Sequence, residues 1–101
     1  MEQEIHVSQL SETLSNGEYT LIDVREHDEL VETGFIPGAI HHPMSTFDTA
    51  VDTLDKEATH LVICRAGGRS ANVQQYMQGL GYKAINVAGG MDEYEGPVEH
   101  L

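Results

Sequence analysis

The chain has 101 residues, 40% of them hydrophobic, a length and apolar content that suit one folding unit over residues 1–101. Five basic residues against 17 acidic ones give a formal charge of -12, which argues against nucleic acid and anionic membrane as partners. The apolar runs are too short to span a bilayer, and Glu2, Glu4 and His6 interrupt any secretory leader pattern. A lone cysteine does not suit a disulfide-stapled secreted domain, so a cytoplasmic location is expected.

In chain order, residues 5–7 suit a short strand. Leu10 and Leu14 repeat at i, i+4, with Ser8 as a candidate N-cap and Asn16-Gly17 as a stop, which predicts a short helix. Residues 20–24, 61–64 and 84–87 are near-continuously apolar and rich in branched side chains, so they read as strands buried on both faces. Residues 26–33 read as a helix whose first turn carries Glu26, Asp28 and Glu29, with Gly34 ending it. Pro37-Gly38 predicts a type II turn. Phe47, Ala50, Val51 and Leu54 predict a helix capped by Ser45, with Asp48 three residues later, and Val73, Tyr76, Met77 and Leu80 predict another with its apolar face toward the core. Strands alternating with helices imply an α/β fold: a mostly parallel central sheet of four to five strands with helices on both faces. Ligands of such sheets sit beyond the carboxyl ends of the strands, where Cys64 falls.

The loop Cys64-Arg65-Ala66-Gly67-Gly68-Arg69-Ser70 joins an apolar strand to a helix beginning near Arg69 or Ser70. Paired glycines let the backbone curl, and the unpaired amides of the helix start make an anion cradle. Those amides, with Arg65 and Arg69, are expected to lower the Cys64 pKa from about 8.5 into the range of about 3.5 to 7.5 of activated cysteines. Two of only five basic residues flank this cysteine. One arginine at about 4 Å in an effective dielectric of about 20 is worth roughly 4 kcal/mol, so a local cationic pocket is compatible with an acidic exterior. Ser70 has two readings: a cap for the helix, or a hydroxyl donor to a bound oxyanion or to the sulfur.

Three ordered stretches resemble the rhodanese family. Asp23-Val24-Arg25-Glu26, followed by Gly34-Phe35-Ile36-Pro37-Gly38-Ala39-Ile40, is similar to its first signature, residues 64–70 to its active-site loop, and residues 81–91 with Tyr94-Glu95-Gly96-Pro97-Val98 to its closing signature. Phe35, His41 and Tyr94 depart from the histidine, asparagine and tryptophan usual there, at packing or turn positions. The resemblance implies a sulfurtransferase in which Cys64 takes a sulfane sulfur from thiosulfate or a low-molecular-weight persulfide and passes it to a thiol or protein acceptor. It also implies that Arg65, Ala66, Gly67, Gly68, Arg69 and Ser70 bind the small anionic donor. Asp23 and Arg25 would support the loop, Asp23 through its backbone and Arg25 by pairing with Glu26 or Glu29. No metal or organic cofactor is expected.

Other sites carry less. His41-His42 lacks a second pair at helical spacing and reads as loop histidines rather than a metal site. Gly89-Gly90 reads as a turn, and Asp52, Asp55 and Glu57 as a solvated face. Residues 99–101 are assigned no role. A cysteine phosphatase or arsenate reductase is the main rival. Its loop places five residues between cysteine and arginine, whereas Cys64 and Arg69 have four between them. A non-catalytic binding module of the same fold, and a redox sensor with an exposed activated thiol, are the remaining alternatives.

Overall fold

The computed structural model describes residues 3–101; Met1 and Glu2, which enter the expectation about a leader, lie outside the described residues. The three apolar runs form β2 (Tyr19–Asp23), β4 (Thr59–Ile63) and β5 (Lys83–Ala88). The short edge strands β1 (Glu4–His6) and β3 (Ile40–His41) complete the sheet in the order β1-β5-β4-β2-β3, with every pairing parallel. β3 has only two residues and no periodicity from which to be read.

Side chains of a strand alternate between faces, and the central strands therefore feed two cores. Ile22, Val62 and Ala84 pack with Phe47, Val51, Val73 and Met77 on one side. Leu21, Leu61, Ile63, Ile85 and Val87 pack with Leu10 on the other. Helices consequently cover both faces, as the alternation of elements predicts: α1 (Leu10–Ser15) on one, α3 (Phe47–Ala50) and α4 (Gly68–Gly79) on the opposite one.

Local chemistry corrects several helix details. The turn ahead of α1 is capped by His6 rather than Ser8: the His6 ring accepts from the Ser8 amide at 3.1 Å, and the Gln9 side chain accepts from the His6 amide at 3.1 Å. In α2 (His27–Thr33), Glu26 is the cap and the Glu29 carboxylate accepts from the Glu26 amide at 3.0 Å. The helix expected over 47–54 is broken into α3 between two single turns, Met44–Thr46 and Val51–Thr53. Thr49 and Thr53 donate back to the carbonyls of Thr46 and Ala50 at 2.7 and 2.6 Å, which favours tight turns over a continuous helix. Ser45 caps nothing and donates instead to the Glu26 carboxylate at 2.7 Å.

The apolar stripe of α4 is rotated from its expected position. Ser70, Val73, Gln74 and Met77 are buried, at i, i+3, i+4 and i+7, whereas Tyr76 and Leu80 are 44% and 41% exposed. Gln74 holds the core-facing slot because its amide donates to the carbonyls of Gln3 and Ala84 at 2.5 and 3.1 Å. A polar residue thus satisfied is as good a core residue as the neighbouring tyrosine. Met77→Ala is expected to cost about 2–5 kcal/mol of stability and Leu80→Ala no more than about 0.5 kcal/mol, measured by urea unfolding; equal losses would restore the expected stripe.

Candidate active site

The strand order places a crevice at one position. From β2 the chain continues outward to β3, while from β4 it passes the other way to β5, so the loops after β2 and β4 diverge at the carboxyl ends of neighbouring strands. Cys64 immediately follows β4, and the Val24 amide donates to the Ile63 carbonyl at 3.0 Å across this gap.

The loop after Cys64 is shaped by its carbonyls as much as by its amides. The Cys64 and Arg65 carbonyls accept from the Met91 and Asp92 amides, both at 2.9 Å. This requires the Gly90 backbone to pass so close that a Cβ there would collide with both carbonyl oxygens. With the carbonyls turned away, amides face the sulfur. The Gly67 and Ser70 amides donate to Cys64 Sγ at 3.1 and 3.4 Å. Gly67, with φ of 113°, is the N-cap of α4 in a conformation few other residues adopt, so the helix begins at Gly68, slightly earlier than expected.

Ser70 is therefore the third residue of α4 rather than its cap. Its hydroxyl lies 3.2 Å from Cys64 Sγ, 2.5 Å from Asn86 Oδ1 and 3.2 Å from the Gly67 carbonyl. A hydroxyl has one proton, and a thiolate is the strongest acceptor of the three. Cys64 is 1% exposed. Burial pushes its thiol up, but the Ser70 hydroxyl and the amides of Ser70, Gly67 and Ala66 outweigh this and hold it below its ordinary value. Such burial is at odds with the exposed thiol of a redox sensor.

The arginines differ from expectation. Arg69 forks onto the Glu29 carboxylate with contacts of 2.6 and 2.8 Å, and Arg65, 71% exposed, pairs with Asp92 at 3.2 Å. The Arg69 fork lowers the Glu29 carboxyl from 4.5 to about 2. A cavity of about 240 Å³ beside the loop is lined by Arg25, Glu29, Glu32, Thr33, Arg65, Met91 and Asp92.

The Asp23 and Arg25 side chains make no hydrogen bond to the cysteine loop. Asp23 pairs in register with Ile63, one residue out of phase with Cys64, so its side chain points to the opposite face of the sheet. Arg25 is buried and pairs with Asp23 at 2.8 Å rather than with Glu26 or Glu29. Its other hydrogen bonds run to Thr33 Oγ1 at 2.8 Å and the Gly34 carbonyl at 2.9 Å, which anchors the end of α2. Their supporting role is thus to position the helix that carries Glu29. His41 contacts the Arg25 carbonyl at 2.6 Å, and among the described residues no group of three or more His, Cys, Asp or Glu could hold a metal.

Sequence reasoning missed Asn86, Gly90 and the pairing roles of Glu29 and Asp92. Asn86 had a signal: a lone amide in the buried run Ala84-Ile85-Asn86-Val87 needs partners. It finds them in Ser70 and the Gly67 carbonyl, the latter 3.3 Å from its Nδ2. The carboxylates had none, because ion pairs across distant elements leave no local pattern.

Ser70→Ala removes the hydroxyl donor and is expected to move the pH midpoint of Cys64 alkylation upward by about one unit; an unmoved midpoint would assign the depressed value to the amides alone. Arg25→Met leaves the Asp23 carboxylate buried without its partner and is expected to cost about 3–5 kcal/mol in chemical denaturation.

Comparison with known proteins agrees with this fold. The family model described as rhodanese-like domain matches residues 6–96. The chain is 43% identical over 95 residues to "Putative sulfurtransferase YtwF" of Bacillus subtilis, covering 93% of this chain and 91% of that protein. It is 31% identical over 93 residues to "Sulfurtransferase" of Allochromatium vinosum, covering 90% and 86%. The crystal structure of a rhodanese-like domain protein from Staphylococcus aureus superposes with a TM-score of 0.90 at 30% identity, over 100% of this chain and 99% of that one. With its parallel sheet, its cysteine loop and a match over nearly its whole length, the chain belongs to the rhodanese-like domain family.

Proposed function

We propose that this protein is a sulfurtransferase that carries a sulfane sulfur as a persulfide on Cys64. The observation that supports it is the cradle: a cysteine at a strand end with amide and hydroxyl donors at 3.1 to 3.4 Å from its sulfur. Such donors stabilise the Cys64 thiolate both before it attacks the donor and when it is returned as the leaving group of the second transfer.

In the proposed cycle the Cys64 thiolate attacks the outer sulfur of thiosulfate or of a low-molecular-weight persulfide. The sulfur–sulfur bond of the donor breaks, sulfite or a thiolate leaves with its electron pair, and a Cys64 persulfide remains. A thiol or protein acceptor then attacks the outer sulfur and returns the Cys64 thiolate. Splitting the transfer at a covalent intermediate replaces one difficult step by two easier ones. Arg65, Ala66, Gly67, Gly68, Arg69 and Ser70 are the proposed binding residues, acting chiefly through the loop backbone. A free cysteine in this role suits a reducing compartment, and a cytoplasmic location is part of the proposal.

A phosphatase reading is less well supported. Four residues rather than five separate Cys64 from Arg69, and the Arg69 guanidinium is engaged by Glu29 rather than free for a phosphoryl group.

Purified protein treated with thiosulfate or a low-molecular-weight persulfide is expected to gain the mass of one sulfur atom, to lose it on addition of cyanide or thiol, and to show no gain as Cys64→Ser. Intact-mass spectrometry reads all three. An unchanged mass with every donor would overturn the proposed activity.

A further inference from the structure

Both cations of the catalytic loop are already neutralised. Arg69 donates two hydrogen bonds to the Glu29 carboxylate, at 2.6 and 2.8 Å, and Arg65 donates one to Asp92 at 3.2 Å. The Glu29 carboxyl, lowered to about 2 chiefly by the Arg69 hydrogen bond, stays ionised throughout the pH range of any practical assay. Glu29 is also fixed in place: it closes the capping box of α2 on the Glu26 amide at 3.0 Å, and α2 is itself anchored by Arg25 at Thr33 and Gly34. The fork is therefore held from both sides.

A dianion meets this arrangement at a disadvantage. To take the Nη1/Nη2 edge of Arg69, a sulfonate must displace Glu29 and leave that carboxylate, 28% exposed, without its partner, and along any other edge it meets a guanidinium whose charge is already balanced. The adjoining cavity offers no compensation. Its lining carries three carboxylates, Glu29, Glu32 and Asp92, against two guanidinium groups, Arg25 and Arg65. One of these, Arg25, is spent on Asp23. What remains to receive a donor is the set of neutral dipoles around Cys64 Sγ, beside a cavity whose guanidinium groups are all paired with carboxylates and to which Glu32 adds one further negative charge.

We propose that Glu29 is a specificity-determining residue, which by occupying Arg69 turns the site away from doubly anionic donors such as thiosulfate and toward an alkyl persulfide flanked by a cationic group. The proposal rests on the sulfurtransferase activity and narrows its donor. In the loading step the Cys64 thiolate attacks the outer sulfur of R–S–SH, a new sulfur–sulfur bond forms on Cys64, and the donor bond breaks. R–S⁻ leaves with the electron pair, and the proton of the outer sulfur passes to solvent or to the leaving thiolate. No oxidant or reductant is consumed. An ammonium or guanidinium on R would lie against the carboxylates that repel a sulfonate.

Glu29→Gln tests this, since a glutamine oxygen still accepts from the Glu26 amide and from Arg69 while the charge is removed. Two readouts apply. The first needs no sulfur donor: the ratio of Cys64 modification rates by 2-aminoethyl methanethiosulfonate, a cation, and its 2-sulfonatoethyl counterpart, an anion. The second is kcat/KM for thiosulfate and for the persulfide of cysteamine. In Glu29→Gln the cation-to-anion rate ratio is expected to fall about tenfold and kcat/KM for thiosulfate to rise about tenfold, with no rise for cysteamine persulfide. Glu57→Gln, the same charge change just ahead of the amino end of β4, is the control and is expected to shift neither readout. Unchanged ratios in Glu29→Gln, with Cys64 still loading, would overturn the role of Glu29 and leave the sulfurtransferase activity standing, as would an equal shift in Glu57→Gln. Failure of every donor to load any variant would instead overturn the sulfurtransferase activity, and the rate ratio would still report separately on Glu29.

Discussion

A negative sulfur cannot be kept at the buried end of a strand unless dipoles are turned toward it. Most of what is distinctive in this chain meets that requirement. Peptide groups present a donor on one side and an acceptor on the other, so an inward row of amides demands an outward row of carbonyls that must also be satisfied. The molecule resolves the two halves with different segments. The start of α4 supplies the amides and the Ser70 hydroxyl, and the segment after β5 supplies the Met91 and Asp92 donors that receive the carbonyls. The positive φ of Gly67 and the close approach of Gly90 follow from fitting both into one turn of chain.

The sheet supports this locally and globally. A parallel strand buried on both faces is rigid, and its reversal point provides the crevice. On the face shared with Cys64, Ile22, Val62 and Ala84 hold α4 through Val73 and Met77, which fixes the helix whose first turn faces the sulfur. On the other face Asp23 and Arg25 fix α2, which holds Glu29 against Arg69. Thus each face of the sheet orients one partner of the ion pair at the mouth of the loop.

Legibility in the sequence followed the range of the interactions. Strong apolar runs marked β2, β4 and β5 to within two residues, and the turn glycines and Cys64 stood out because their signals are local. The stripe of α4 was misread because Gln74 is buried by hydrogen bonds to Gln3 and Ala84, which no hydrophobic pattern encodes. The 47–54 segment was misread because threonine hydroxyls compete for backbone carbonyls. Arg25 was assigned to glutamates nearby in sequence, whereas the buried geometry returned it to Asp23, two residues away. In the site, the cysteine was legible and the ion pairs around its loop were not. Glu29 and Arg69 are separated by 40 residues, and only the fold brings them together.

The clasp between the cysteine loop and the segment after β5 also has a consequence in time. Cys64 leaves the ribosome well before Met91 and Asp92, and until those amides arrive the Cys64 and Arg65 carbonyls have no fixed partners and the amides no reason to converge. The nascent thiol is then an ordinary cysteine with an ordinary affinity for its proton. The cradle around the sulfur therefore forms only once the segment after β5 has closed on the cysteine loop, so the packing of residues 91–92 and the convergence of the amides are the same event.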